Sequence, residues 1–125
     1  MIFFEYEQVI KLHSSLIAKT GGIDGIRDEE LLDSALQTPF QTFGGNNLYP
    51  DVLDKASQLC YSLIENHPFV DGNKRIGVHL ALLFLKLNNI ELNYSQQELI
   101  DFGLGIASGK ISKHGIKEWL IQHKK

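Results

Sequence analysis

The densest run of chemically capable side chains is His67-Pro68-Phe69-Val70-Asp71-Gly72-Asn73-Lys74-Arg75. It falls between two stretches whose apolar spacing reads as core helix, and polar groups beside a core cost free energy unless they find partners. Pro68 is expected to hold His67 extended and so aim its imidazole, and Phe69 to plug into the core as an anchor. Gly72 permits a positive φ or a close backbone approach. From Asn73 onward the first turn of the following helix leaves backbone N–H groups unpaired, and with the helix dipole these make an anion site. Lys74 and Arg75 add two positive charges there. A basic pair at a helix N-terminus opposes the dipole and calls for an anion nearby. A phosphate-bearing ligand is the natural occupant.

Asp71 then has a role, because Mg²⁺ is held by one or two carboxylates and completes its shell with phosphate oxygens and water. His67 is the only side chain in the run that accepts a proton near neutral pH. A base, a metal carboxylate and a phosphate cradle together make a phosphoryl- or nucleotidyl-transfer site. Each residue taken singly has a plainer role: His67 as a helix-end histidine, Asp71 and Asn73 as caps, Lys74 and Arg75 as a solvated turn, Gly77 as a packing glycine. The nine together favour the site. His79 lies one position off the apolar face and reads as a core histidine rather than a polar neighbour of the site. His13, His114 and His123 read as surface or structural.

These residues need elements to position them. Helical spacing dominates the chain. A first helix is predicted from about Tyr6 to Lys19, stopped by Gly21-Gly22. Asp28 caps a second, which Thr38-Pro39 ends. Phe40 to Pro50 follows as one long irregular loop, rich in the turn formers Gly44, Gly45, Asn46 and Asn47, and a loop of that length in a small domain is more often functional than filler. Asp51 caps a third helix that must stop near Asn66-His67. The fourth, from Asn73 to about Leu87, is apolar nearly all round and is therefore the buried central helix. Ile90-Glu91-Leu92 reads as a short edge strand. A fifth helix covers Gln97 to Ala107 and a sixth about Lys113 to Gln122. The expected architecture is all-α, one domain over residues 1–125, built around the fourth helix.

Composition narrows the classes further. With 125 residues there is room for one domain. The formal charge of -3 and pI near 5.9 lack the basic excess of a nucleic-acid-binding domain. The single cysteine, Cys60, allows no internal disulfide and reads as a core side chain. No basic, apolar leader opens the chain, and the longest apolar stretch, Val78 to Leu87, is broken by His79 and Lys86, too short for a bilayer. A cytoplasmic protein with no membrane partner is expected. The phosphate loop G-x-x-x-x-G-K-[ST], the H-E-x-x-H zinc pair and the G-x-S-x-G nucleophile elbow are all missing, and Gly103, Gly105 and Gly109 have the wrong spacing for a dinucleotide fingerprint.

The nine-residue run resembles the signature loop of the Fic/Doc superfamily, in its Doc (death-on-curing) version. The resemblance extends to Gly21-Gly22-Ile23, Arg27-Asp28-Glu29 with Leu32, Gln41-Thr42-Phe43-Gly44-Gly45, Leu48-Tyr49-Pro50, Ala81-Leu82-Leu83-Phe84-Leu85 and Ala107-Ser108-Gly109-Lys110-Ile111-Ser112, so it covers nearly the whole chain. It implies a Fic/Doc helical bundle and the toxin of a toxin–antitoxin pair. The wider Fic group transfers AMP from ATP to protein hydroxyls. Its pattern has Gly where this chain has Lys74 and a second Arg where it has Val78. The Doc group shares both departures, which there go with reversed nucleotide placement and transfer of the terminal phosphate. The resemblance thus implies an ATP- and Mg²⁺-dependent protein kinase acting on a threonine of a translation factor of the elongation factor Tu class, with AMP transfer or a non-catalytic binding module as the alternatives.

Residue by residue, the resemblance implies His67 as base, Asp71 as the Mg²⁺ carboxylate, Gly72 and Asn73 as the lining of the anion site, and Lys74 and Arg75 as phosphate ligands. Phe43, Gly44, Gly45, Asn46 and Asn47 match the segment that in this superfamily helps hold the target peptide. The inhibitory pattern [S/T]-x-x-x-E-[G/N] carried by some Fic proteins is missing, since Glu65-Asn66 has Tyr61 four residues before it. Inhibition is then expected from a separate antitoxin whose C-terminal segment occupies an apolar groove near the site.

Overall fold

The computed structural model describes all 125 residues. Helix α1 spans Tyr6–Thr20, opened by a reciprocal cap between Glu5 and Gln8 and buried along Val9, His13 and Ile17. It stops at Gly21, whose φ of 86° is costly for a residue with a Cβ. Helix α2, Glu29–Gln37, starts on Asp28, whose side chain accepts the Leu31 N–H at 3.0 Å. A 3₁₀ turn, Thr38–Phe40, follows with Pro39 in its first turn. Helix α3, Val52–Asn66, is capped by Asp51 and Asp54 in the same reciprocal way as α1. Helix α4, Asn73–Leu87, begins directly after the candidate loop. Helices α5, Gln96–Ala107, and α6, Lys113–Gln122, start on Ser95 and Ser112.

Helices α3 and α4 form the central pair, with α2 and α6 packed on α3 and with α1 and α5 on α4. Gly77 lets them approach: a Cβ there would stand 3.1 Å from the Cys60 carbonyl oxygen. Leu59, Leu63, Phe69, Ile76, Leu80 and Phe84 are wholly buried between the layers. Cys60 is buried with them, and burial pushes its thiol up to about 12, which suits a core side chain and not a nucleophile. The all-α expectation holds. No helix is long and apolar enough to cross a membrane.

Three expectations need correction. Residues 40–50 are not irregular throughout. Thr42–Phe43 (β1) and Asn46–Asn47 (β2) pair antiparallel, Thr42 opposite Asn47 and Phe43 opposite Asn46. Gly44 and Gly45 supply the two consecutive positive φ values, 59° and 82°, that a tight two-residue hairpin turn requires. His79 is exposed rather than core, because Val78 and Leu80 take the flanks of α4 that meet its neighbours. Ile90-Glu91-Leu92 forms only an isolated bridge to the C-terminal tail, at Leu92 and Lys124.

Candidate functional site

The loop after α3 is fastened from a segment 40 residues upstream. Arg27 reaches the end of α3, its Nε donating to the His67 carbonyl at 2.6 Å and its guanidinium to the Asn66 carbonyl at 2.9 Å. These are helix-terminal acceptors that would otherwise lack partners. The N–H groups of Arg27 and Asp28 both donate to the Pro68 carbonyl, and the Val70 N–H donates to the Gly25 carbonyl. Under these bonds His67 adopts a left-handed conformation, φ 51° and ψ 51°, and not the extended one expected from Pro68. Pro68 disfavours the right-handed region for its predecessor, and the left-handed well ends α3 while turning the chain toward α4.

Phe69 is the anchor the sequence implies, wholly buried. The buried His13 imidazole stacks flat on its ring, with centroids 3.7 Å apart and planes 6° from parallel, and its Nε2 hydrogen-bonds the Asp71 carbonyl at 2.7 Å. Nε2 therefore carries the proton in that bond. The other nitrogen faces the Asp24 carboxylate at 3.4 Å.

Asn73 is the first residue of α4. Its buried amide clamps the loop: Oδ1 accepts the Phe69 N–H at 2.9 Å and Nδ2 donates to the Phe69 carbonyl at 3.0 Å. The Asn73 side chain is thus committed to the backbone of Phe69, and only its main-chain N–H remains for a ligand. Gly72, at φ 78°, turns the chain into α4. The N–H groups of Asn73, Lys74 and Arg75 have no partner within the chain, the first bond of the helix coming from the Ile76 N–H to the Gly72 carbonyl.

The Asp71 carboxylate accepts the Ile23 N–H at 3.1 Å and the Gly72 N–H at 2.8 Å, and Arg75 stands 3.4 Å away. The Ile23 bond first, then the Gly72 bond, with Arg75 adding to them, hold its carboxyl below the usual carboxylate range. Gly22 is required for this contact: a Cβ there would lie 2.5 Å from Asp71 Oδ2. Arg75 is engaged at the end of α1, donating to Thr20 Oγ1 at 2.6 Å and the Gly21 carbonyl at 2.7 Å. Lys74 is exposed, its ammonium 3.4 Å from the Ala107 carbonyl at the end of α5.

His67, Val70, Asp71, Gly72, Asn73, Lys74 and Arg75 line one cavity of about 220 Å³. The hairpin residues Phe43, Gly44, Gly45, Asn46 and Asn47 are exposed and do not line it. The residues that hold the loop, His13, Arg27 and Gly22, were not marked as such by sequence reasoning. Lys55 was missed too. Buried on α3, it donates to the Pro39 carbonyl at 3.3 Å and to the Tyr49 carbonyl, fixing both ends of the hairpin segment.

The residues present suit a Mg–nucleotide. The chain offers no group of three or more His, Cys, Asp and Glu side chains for a metal, so Mg²⁺ would share Asp71 with phosphate oxygens and water. The carboxylate accepts two N–H bonds and retains free lone pairs. The three unpartnered N–H groups suit a phosphate.

Fold and loop together define an all-α protein whose central helix opens its N-terminus to an anion beside an exposed histidine. The chain belongs to the Fic/DOC family, whose family model matches residues 3–85. It is 44% identical over 72 residues to Toxin Doc of Mycolicibacterium smegmatis, covering 58% of this chain and 55% of that protein, so the match spans about half the relative's length. It is 28% identical over 114 residues to Protein kinase doc of Escherichia phage P1, covering 91% of this chain and 89% of that protein.

Proposed function

We propose that this protein is the toxin of a toxin–antitoxin pair and acts as a Mg–ATP-dependent protein kinase on a threonine hydroxyl of a translation factor of the elongation factor Tu class. One observation carries the reading: His67 and the three unpartnered N–H groups at the start of α4 border the same cavity. The names of the two relatives, a toxin and a protein kinase, support it.

In this reading the N–H groups of Asn73, Lys74 and Arg75 take phosphate oxygens, and Lys74 swings from its long contact with Ala107 to add charge. Bound Mg²⁺ would neutralise phosphate charge in the transition state. Asp71 is kept ionised by its N–H bonds and so remains a metal ligand at neutral pH. Arg75 ties Asp71 to the end of α1 and holds the phosphate turn in place. His67 takes the proton of the target hydroxyl as it attacks. A positioned base of this kind is worth about 10²–10⁴ in rate. An antitoxin segment is the partner that blocks the site, and the exposed Ile23 and Val70 beside the loop supply apolar surface for it.

The test is label transfer from ATP to proteins of a bacterial extract. Label on the γ-phosphate is expected on a protein of translation, and label on the α-phosphate is not. Transfer of the α-label would replace the kinase by an AMP transferase. No transfer above the His67→Ala background with either label would overturn both.

A further inference from the structure

A cleft of about 740 Å³ opens between the first residues of the chain, α2 and the 3₁₀ turn, and it shares no residue with the cavity around His67. Its volume falls within the roughly 300–1,000 Å³ of ligand pockets. Three aromatic rings line it, those of Phe3, Tyr6 and Phe40. Phe40 keeps 39% of its surface exposed although Phe3 packs edge-on against it, with centroids 4.7 Å apart. Phe3 packs in turn on the buried Phe84 at 5.3 Å, so the core holds these rings in place.

The charge of the lining has one sign. Glu30 and Asp33 line the cleft, and no lysine, arginine or histidine does. Neither carboxylate pairs with a cation of the chain. Asp33 accepts only the Gln37 amide, at 2.8 Å. Glu30 stands in the first turn of α2, where the helix dipole accounts for it, but Asp33 lies beyond that turn. The negative field reaches the rings: burial first, then Glu29, Glu7 and Asp33, raise the Tyr6 phenol above its ordinary 10.0. One cation, Lys55, comes within 5.3 Å of the Phe40 centroid. It is buried, bonded to the Pro39 and Tyr49 carbonyls and outside the lining, so it neutralises neither carboxylate.

Thr42, the first residue of β1, also lines the cleft. The Leu48 N–H bonds the Gln41 carbonyl, and Thr42 faces Asn47 at the next position, which is not hydrogen-bonded. The Thr42 N–H and C=O therefore point away from β2 and have no partner within the chain. An open strand position of this kind accepts the backbone of another chain.

We propose that this cleft docks a basic segment of a partner polypeptide, with an arginine or lysine side chain against Phe40 and Tyr6, its charge on Asp33 and its backbone beside Thr42. Aromatic rings next to carboxylates attract a cation through the ring quadrupole as well as the charge. An acidic or phosphate-bearing ligand would meet unpaired carboxylates. An apolar peptide would cover Asp33 without supplying a cation, which costs free energy. A small organic cation would leave Thr42 unmet.

The test is fluorescence anisotropy of the full chain with a labelled twelve-residue peptide of alternating Arg and Ala, beside its Gln-for-Arg counterpart. No nucleotide is added, so failure here leaves the kinase reading standing, and failure of that reading leaves this one. Saturable binding of the Arg peptide, at least tenfold weaker for the Gln peptide, is expected. Asp33→Asn should weaken it about fivefold. Asp101→Asn should not, although Asp101 is an exposed aspartate on α5 that likewise accepts a glutamine amide. Phe40→Leu should weaken it about threefold with circular dichroism unchanged. Free arginine at millimolar levels should compete poorly. No saturable binding, equal binding of the two peptides, equal losses in Asp33→Asn and Asp101→Asn, or displacement by free arginine as effective as by unlabelled peptide would each overturn the proposal.

Discussion

Asn73 and Phe69 hold each other through both ends of one amide: Oδ1 on the Phe69 N–H and Nδ2 on the Phe69 carbonyl, at 2.9 and 3.0 Å. The first residue of α4 thereby fixes the loop that precedes it, and with it the distance from His67 to the helix N-terminus. Both Phe69 groups are buried, and a buried backbone group left unpaired costs about 1–3 kcal/mol. Asn73→Ala is expected to lower stability by about 2–4 kcal/mol in urea unfolding, and to lose transfer activity even where it remains folded. Activity retained in the folded fraction would show that the clamp does not position the site.

His13 supports the same loop from α1. Replacing it with Phe keeps a flat ring against Phe69 but removes the bond to the Asp71 carbonyl. His13→Phe should fold, cost about 1–3 kcal/mol for the unmet carbonyl, and lower kcat more than it changes the KM for ATP. His13→Ala should cost more, about 2–4 kcal/mol, because a cavity opens beside Phe69 as well. Denaturant titration and steady-state kinetics of the two variants check this.

Gly22 faces the Asp71 carboxylate first and the Arg75 guanidinium, at 3.1 Å from an added Cβ, second. Its φ is 117°, and an added Cβ would meet Asp71 Oδ2 at 2.5 Å. Gly22→Ala is expected to displace the carboxylate and raise the Mg²⁺ concentration needed for half-maximal transfer severalfold. An unchanged Mg²⁺ dependence would remove Asp71 from its assigned role.

The helix ends around the site were legible because single residues set them. Asp28 and Asp51 cap, Gly21 stops α1, and Pro68 bars α3 from continuing. The buried stripe of α4 could likewise be read from Ile76, Leu80 and Phe84. What could not be read was long-range. Nothing in the spacing joins Arg27 to the end of α3, His13 to Phe69 or Lys55 to the hairpin ends, since those contacts exist only once the helices have packed. The hairpin had a signal in Gly44-Gly45, but its strands are two residues each and exposed, too short to show the alternation that marks a half-buried strand. Asn73 was read for its position at a helix start, and the burial that turns its amide inward is a tertiary fact.

The C-terminal helix carries a pH-sensitive pair outside the site. His123 Nε2 meets Glu98 at 2.6 Å and Nδ1 donates to the Trp119 carbonyl at 2.7 Å. Burial works against the imidazolium, but the Trp119 carbonyl and Glu98 outweigh it and raise the His123 pKa above its ordinary 6.5. The Ser95 N–H, then His123, lower that of Glu98 below 4.5. The histidine contribution is present below pH 6.5 and is lost as pH rises through the raised value; the glutamate contribution is present above pH 4.5 and is lost as pH falls through the lowered one. The pair should therefore stabilise most between these two ordinary values. His123→Gln should flatten the pH dependence of Tm between pH 6 and 8, as thermal melts in matched buffers would show.

The central claim is that the start of α4 receives the phosphates of a nucleotide beside His67. It is tested most directly by recording backbone amide resonances of the full chain while Mg–ATP is added. The N–H signals of Asn73, Lys74 and Arg75 are expected to move together and saturably, with the His67 ring signals moving alongside them. Binding that shifts other amides and leaves these three in place would contradict the account.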